Sequence, residues 1–242
     1  MVKIYLSEMS RYFIELSYKG TNYSGFQSQQ NTPATIQAEI EKALQTLLKQ
    51  KIILTGSSRT DAGVHALQNY FHFDTALPVQ QTVYNMNAIL PDDISVRRVV
   101  EVNSTAHCRY DAISRAYSYH IHRIKDPFQK EVSYYFPYRV DIDKMKEAAS
   151  IIMEYQDFTS FSKRNTQAKT FMCKIYESGW EEDGYDLVYN VRANRFLRGM
   201  VRALTATMLM VGRGKLGIDE IRRIIEAKDC TKAFFAAPAH GG

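Results

Sequence analysis

The chain has little cysteine, and what it has is badly placed for cross-linking. Cys108, Cys173 and Cys230 are three in number among 242 residues and far apart, and no Cys-x-x-Cys pair occurs. Neither a disulfide framework nor a zinc site is indicated, and the expected compartment is a reducing cytoplasm. Long apolar runs are missing as well. No stretch approaches the ~20 residues that a membrane-spanning helix needs, and residues 1–10 carry neither the apolar core nor the cleavage site of a secretory signal. A soluble cytoplasmic protein without a membrane partner is expected. Nor does charge of one sign dominate. The 31 basic and 26 acidic residues leave +5, with a pI near 9.0, which suits a polyanionic partner without requiring one.

What is present is an ordinary globular composition, 45% apolar and 24% charged, with 16 tyrosines and 12 phenylalanines that can fill cores or stack on bases. The length allows one large domain or two small ones. Residues 11–18 read as a strand that ends at Lys19-Gly20, and a long polar loop follows. Ile36, Ile40, Leu44, Leu47 and Leu48 share one face of a helix over 35–50, with Thr32 as cap and Pro33 in the first turn. Ile52-Ile53-Leu54 reads as a buried strand, 68–74 as a strand, 79–89 as a helix broken by Pro91, and 94–102 as a strand.

The second half repeats that order. Strands are expected at 114–123, 174–181 and 185–193, the last two joined by Asp183-Gly184. Helices are expected at 143–155, 196–211 and 218–227. The prediction is an α+β fold of two similar βαββαβ-type halves, 1–110 and 111–242. They would form a mostly antiparallel sheet with helices packed on one side. By this pattern a final strand should follow, yet the chain stops at Ala239-His240-Gly241-Gly242. A truncated chain or an absent last strand, with an unpaired sheet edge, is the expectation.

One turn draws attention, Gly56-Ser57-Ser58-Arg59-Thr60-Asp61-Ala62-Gly63-Val64-His65-Ala66. Two glycines and three hydroxyl residues between apolar runs make a tight, backbone-exposed link, a good place to present a carboxylate. Spacing alone leaves two readings open. Asp61 and Arg59 are reactive groups, or Asp61 closes an Asx turn and Arg59 is merely solvated.

The run Ser58-Arg59-Thr60-Asp61-Ala62-Gly63-Val64-His65-Ala66 resembles the active-site signature of the tRNA pseudouridine synthase A family. Tyr23-Ser24-Gly25-Phe26-Gln27 is similar to that family's Tyr-x-Gly-Phe/Trp-Gln segment, and Arg115-Ala116-Tyr117-Ser118-Tyr119 to its Arg-x-Tyr-x-Tyr strand. The run from Asn194 to Arg202 resembles Asn-x-Phe-x-x-x-Met-Val-Arg, and Asp157-Phe158-Thr159-Ser160-Phe161 matches a segment expected to be structural.

The resemblance covers nearly the whole chain. It implies isomerisation of uridine to pseudouridine in the anticodon stem-loop of tRNA, at positions 38, 39 and 40, in an active-site cleft between the halves. Asp61 is implied as nucleophile, Arg202 as its cationic partner, and Tyr117 as the residue that packs on the target uracil. Arg59 is implied to fill the space left by the flipped base. Phe26 and Gln27 are implied to lie near the RNA. A homodimer is implied, with tRNA as partner and with no cofactor and no metal.

A carboxylate suits this chemistry by attacking the sugar, by attacking the ring, or by stabilising an oxocarbenium-like species. A phenol beside the base could stack and serve in proton transfer from C5. Lys163, Arg164 and Lys169 are scattered cations for the RNA backbone. Two other classes compete. The element order and Tyr70-Phe71-His72-Phe73 are similar to a non-catalytic RRM-like RNA-binding module, although its Lys/Arg-Gly-Phe-Gly pattern is missing. His120 and His122, alternating on one strand, are the pair a metal hydrolase would use, with no third ligand at a diagnostic spacing.

Overall fold

A computed structural model describes the chain except for residues 1–8, 30, 31, 33, 80, 81, 165 and 167. It divides into two compact units, Met1–Ala112 and Ile113–Gly242. Alternation along the first strand sets the layering of the first unit. In β1 (Ser10–Tyr18), Ile14, Leu16 and Tyr18 turn to one face and are buried. Across the ladder Ile14 faces Phe71 of β3 (Ala66–Thr75), Leu16 faces Val96 of β4 (Ile94–Val102), and Phe73 of β3, opposite Tyr12, is buried as well. With Ile36, Ile40, Ala43 and Leu44 of α1 (Ile36–Leu48) and Met86 of α2 (Thr82–Asn87) they form one core. Each Ile, Leu, Phe or Met side chain among them contributes ~1.5–3 kcal/mol by leaving water. With the two-residue β2 (Thr55–Gly56), the sheet runs β2-β3-β1-β4, antiparallel throughout.

The opposite face of this sheet is polar and internally paired. Arg11 grips Asp74 with two hydrogen bonds of 2.7 and 2.8 Å. The nearly buried Glu15 carboxylate accepts from Gln68 Nε2 (2.7 Å), Tyr70 Oη (3.0 Å) and Arg98 Nε (2.5 Å). These donors, Gln68 first, hold the Glu15 carboxyl below the usual range against the opposing effect of burial.

Four expectations for this unit shift. The residue that caps α1 is Thr35, whose Oγ1 accepts from the Ala38 amide at 3.3 Å. Thr32 is not the cap, and Pro33 lies outside the described residues. The helix stops at Leu48 because Lys49 takes a left-handed conformation, φ 53°. Residues 52–54 form no strand, although Ile52 and Leu54 are buried as their apolar character requires. Side chains of α1 take the backbone groups that a ladder would use. Leu54 N donates to Glu41 Oε1 (2.9 Å), and Leu54 O accepts from Gln37 Nε2 (3.2 Å). The expected helix at 79–89 is described as the shorter α2, and Gln80 and Gln81 lie outside the described residues.

The second unit is a mixed α/β layer of the same kind. β5 (Arg115–His122) pairs antiparallel with β8 (Asp186–Ala193), which pairs with β7 (Ile175–Asp183) through a turn at Gly184 and Tyr185. Gly184 takes φ +59°, and the turn lies one residue later than expected. The fourth place beside β5 goes to β6 (Tyr134–Tyr135), parallel and only two residues long. The order β7-β8-β5 therefore repeats β2-β3-β1, while the place that β4 takes beside β1 is filled by β6, a strand that precedes α3 in the chain. Each unit carries its own four-stranded, mostly antiparallel sheet.

Met145, Ala148, Ala149 and Ile152 of α3 (Ile142–Ile152) meet Tyr119, Tyr189 and Trp180 of this second sheet. Leu204 and Met208 of α4 (Met200–Gly212) and Ile221 and Ile225 of α5 (Ile218–Glu226) complete the core. The α4 helix starts at Met200 rather than Phe196, since Gly199 at φ +73° is left-handed and holds the preceding residues in a turn. Among the described residues no strand follows α5, and Ala239–Gly241 make one 3₁₀ turn. No helix of the described residues is long and apolar enough to cross a membrane.

Candidate active-site loop

Residues 57–65 connect β2 to β3, so both ends are anchored in the sheet, and Ser57 N donates to Tyr70 O at 2.9 Å. A second layer of contacts comes from the segment after β1. Phe26 N donates to Thr60 O (3.1 Å), Gly20 N to His65 Nδ1 (3.0 Å), and the Tyr18 and Thr60 hydroxyls lie 2.9 Å apart. Asn69, buried on β3, donates to both Tyr18 Oη (3.1 Å) and Ser58 O (3.3 Å). Burial pushes the Tyr18 phenol up, against the smaller opposing effect of its Thr60 and Asn69 hydrogen bonds, so it stays a neutral linker.

Glycines make this approach possible. A Cβ on Gly20 would land on the Val64 carbonyl, and one on Gly56 would meet the Phe26 ring at 2.8 Å and Phe71 at 3.1 Å. Gly63 takes φ +80° just after Asp61, and Val64 N closes the turn on Asp61 O at 3.2 Å.

Within this frame Asp61 is half-buried and Arg59 exposed. Phe26 is 2% exposed and stacks on Phe71 at 4.6 Å between ring centroids, so it backs the loop from beneath, while Gln27 is exposed. Tyr23 is buried too, its hydroxyl bonded to Asp93. Sequence reading missed Tyr18, Asn69 and Gly20 as supports. Their only signal was a polar Asn inside an apolar strand and a glycine at the end of β1.

In the second unit, Tyr117 lies half-buried on β5, edge-on to Phe196 at 5.1 Å and 87°. Arg202, in the first turn of α4, donates through Nε to Ala237 O at 2.6 Å, and Tyr119 Oη donates to Pro238 O at 2.6 Å. These two side chains pin the segment that follows α5. Tyr119 is fully buried, as the ordinary core reading of it expects; burial pushes its phenol far up, and the Arg202 charge opposes this. A guanidinium at a helix N-terminus sits against the positive end of the helix dipole, a position that favours an anion beside it.

The competing arrangements find less support. Phe71 and Phe73 are buried beneath the helices, so these rings of the RRM-like face cannot stack on bases. His122 is 2% exposed and stacks on Tyr135 at 5.4 Å, whereas His120 is exposed. The added strand β6 covers one and leaves the other. Among the described residues neither joins a group of three metal-ligating side chains.

Comparison with known proteins bears on these motifs together. The family model for "tRNA pseudouridine synthase" matches residues 16–111 and 155–242. A tRNA pseudouridine synthase A of Parabacteroides distasonis is 46% identical over 235 residues, covering 96% of this chain and 93% of that protein. Relatives of the same name from Bacteroides fragilis and Staphylococcus aureus (strain JH1) are 45% and 41% identical. Each alignment covers 96% of this chain, with 93% and 88% of the relative.

Proposed function

The chain belongs to the tRNA pseudouridine synthase family, and on that premise we propose that it isomerises uridines of the tRNA anticodon stem-loop, at positions 38, 39 and 40, with Asp61 as nucleophile. The reaction breaks the bond from ribose C1′ to uracil N1 and makes one from C1′ to C5. The C5 proton leaves to solvent, N1 gains a proton, and no electron or energy donor is consumed.

A base inside a stem must leave its stack before a side chain can reach its glycosidic bond. The exposed Arg59 suits the space left behind, since a planar guanidinium can stack and contact phosphate at once. Tyr117 packs on the flipped uracil, and Arg202 supplies the cation for the Asp61 carboxylate. Gln27 contacts the RNA, and Phe26 acts by holding the loop. A homodimer binding one tRNA across both subunits completes the reading.

The observation that supports it most is the frame around residues 57–65. A half-buried aspartate on a loop fixed by Tyr18, Gly20, Phe26 and Asn69 is preorganised, as a catalytic carboxylate requires. The test is tritium release from tRNA labelled at uridine C5, run with tRNA binding. The native chain should release tritium, and Asp61→Asn should release none while still binding. Equal release from both would remove Asp61 from the chemistry. Binding without release from either would leave an RNA-binding protein.

A further inference from the structure

A cluster on the polar face of the first sheet is not used by the reaction. We propose that His72, His107 and Cys108 form a site for one thiophilic divalent cation, with zinc the metal that fits. His72 lies on β3, while His107 and Cys108 lie on the segment 103–111 that follows β4. The ligand atoms of the three side chains all fall within 4.8 Å of one another. His72 Nδ1 and Cys108 Sγ are 3.2 Å apart, and the two imidazole rings meet edge-on at 4.7 Å between centroids.

Tetrahedral zinc with bonds of about 2.0–2.1 Å to nitrogen and 2.3 Å to sulfur spaces its ligands roughly 3.3–3.7 Å apart. The His72–Cys108 edge, at 3.2 Å, is slightly shorter than that spacing, so binding requires a small opening of this pair and a turn of the half-buried His107 ring toward it. The donor set, two imidazoles and a thiolate, is soft to borderline and selects zinc over magnesium or calcium.

The thiol donates to Thr55 O at 3.1 Å. On binding, Cys108 gives its proton to solvent, a sulfur–metal bond replaces the sulfur–hydrogen bond, and Thr55 O or a water takes the fourth position. Thr55 and His72 face each other across the β2–β3 ladder. The site therefore sits at the root of the hairpin whose connection carries Asp61. A bound cation would tie that root to segment 103–111, and this inference stands apart from the catalytic roles proposed above.

The experiment uses the full chain, stripped with a chelator and titrated with zinc by calorimetry and with cobalt(II) by absorption. Expected are one equivalent bound, a thiolate-to-cobalt charge-transfer band and a raised thermal midpoint with zinc. Cys108→Ser should abolish the band. His107→Gln should weaken zinc by at least about ten-fold, the loss that even outer-shell changes produce. Cys230→Ser, away from the cluster, should change neither. Absence of the band in the native chain, or its survival in Cys108→Ser, overturns the proposal. Should Cys108→Ser fail to fold, His107→Gln decides, and an unchanged zinc titration there overturns it equally.

Discussion

Gly20 makes a very close approach to the loop of residues 57–65, because any side chain there would collide with the Val64 carbonyl. Gly20→Ala is expected to cost about 1–3 kcal/mol, the range for overpacking, and to displace residues 57–65, so that tritium release falls along with the thermal midpoint. Gly179→Ala is the matched control, since a Cβ there meets nothing within 4 Å. It should leave both readouts at the native level. A second residue-level expectation concerns Glu15. Its folded pKa is depressed by Gln68, Arg98 and Tyr70, so its contribution is complete above the ordinary value of 4.5 and is lost as pH falls through the folded value. The thermal midpoint of the native chain should exceed that of Glu15→Gln at pH 7. The gap should close as the pH is lowered beneath that ordinary value, and a gap independent of pH would contradict the assignment.

Among the elements, α1 was the easiest to read, because five apolar residues at helical spacing leave no other way to bury them together. Its ends were harder. Thr32 and Thr35 are equally good caps by composition, and the choice falls on Thr35, whose extended backbone places its hydroxyl over the Ala38 amide. Thr35→Ala should lower stability by ~1 kcal/mol, measured by denaturant unfolding, whereas Thr32→Ala should not. Residues 52–54 show the opposite case. Their burial was legible, but an apolar run does not say whether its backbone meets a strand or, as here, the side chains of Gln37 and Glu41. The early start expected for α4 failed for a related reason. Periodicity runs through residues 196–199, while a left-handed Gly199 is a backbone fact that composition only permits.

For the molecule as a whole, three corresponding strands in each unit, β2-β3-β1 and β7-β8-β5, follow from the repeated element order, and β6 takes the remaining side of β5 among the described residues. The charge of +5 is modest, so RNA affinity must come from local clusters of cations rather than from the global field. If four or five phosphates are neutralised, tRNA affinity should fall about a hundred-fold between roughly 50 and 200 mM salt. Fluorescence anisotropy with labelled tRNA measures this, and a flat salt response would argue against backbone recognition.

By itself the sequence determined the element order, the apolar faces, the loop that carries Asp61 and the family to which the chain belongs. These depend on local periodicity and on contiguous motifs, both readable along one dimension. Tertiary structure alone decided which groups hold that loop and which donors cluster elsewhere. Tyr18 and Asn69 lie 51 positions apart, and His72 and Cys108 lie 36 apart. Antiparallel pairing of β1 with β3 brings the first pair together. The return of the chain past β3 after β4 brings the second. The spacing of cysteines and histidines along the chain records neighbours in sequence, whereas a cluster such as His72, His107 and Cys108 depends on neighbours in space.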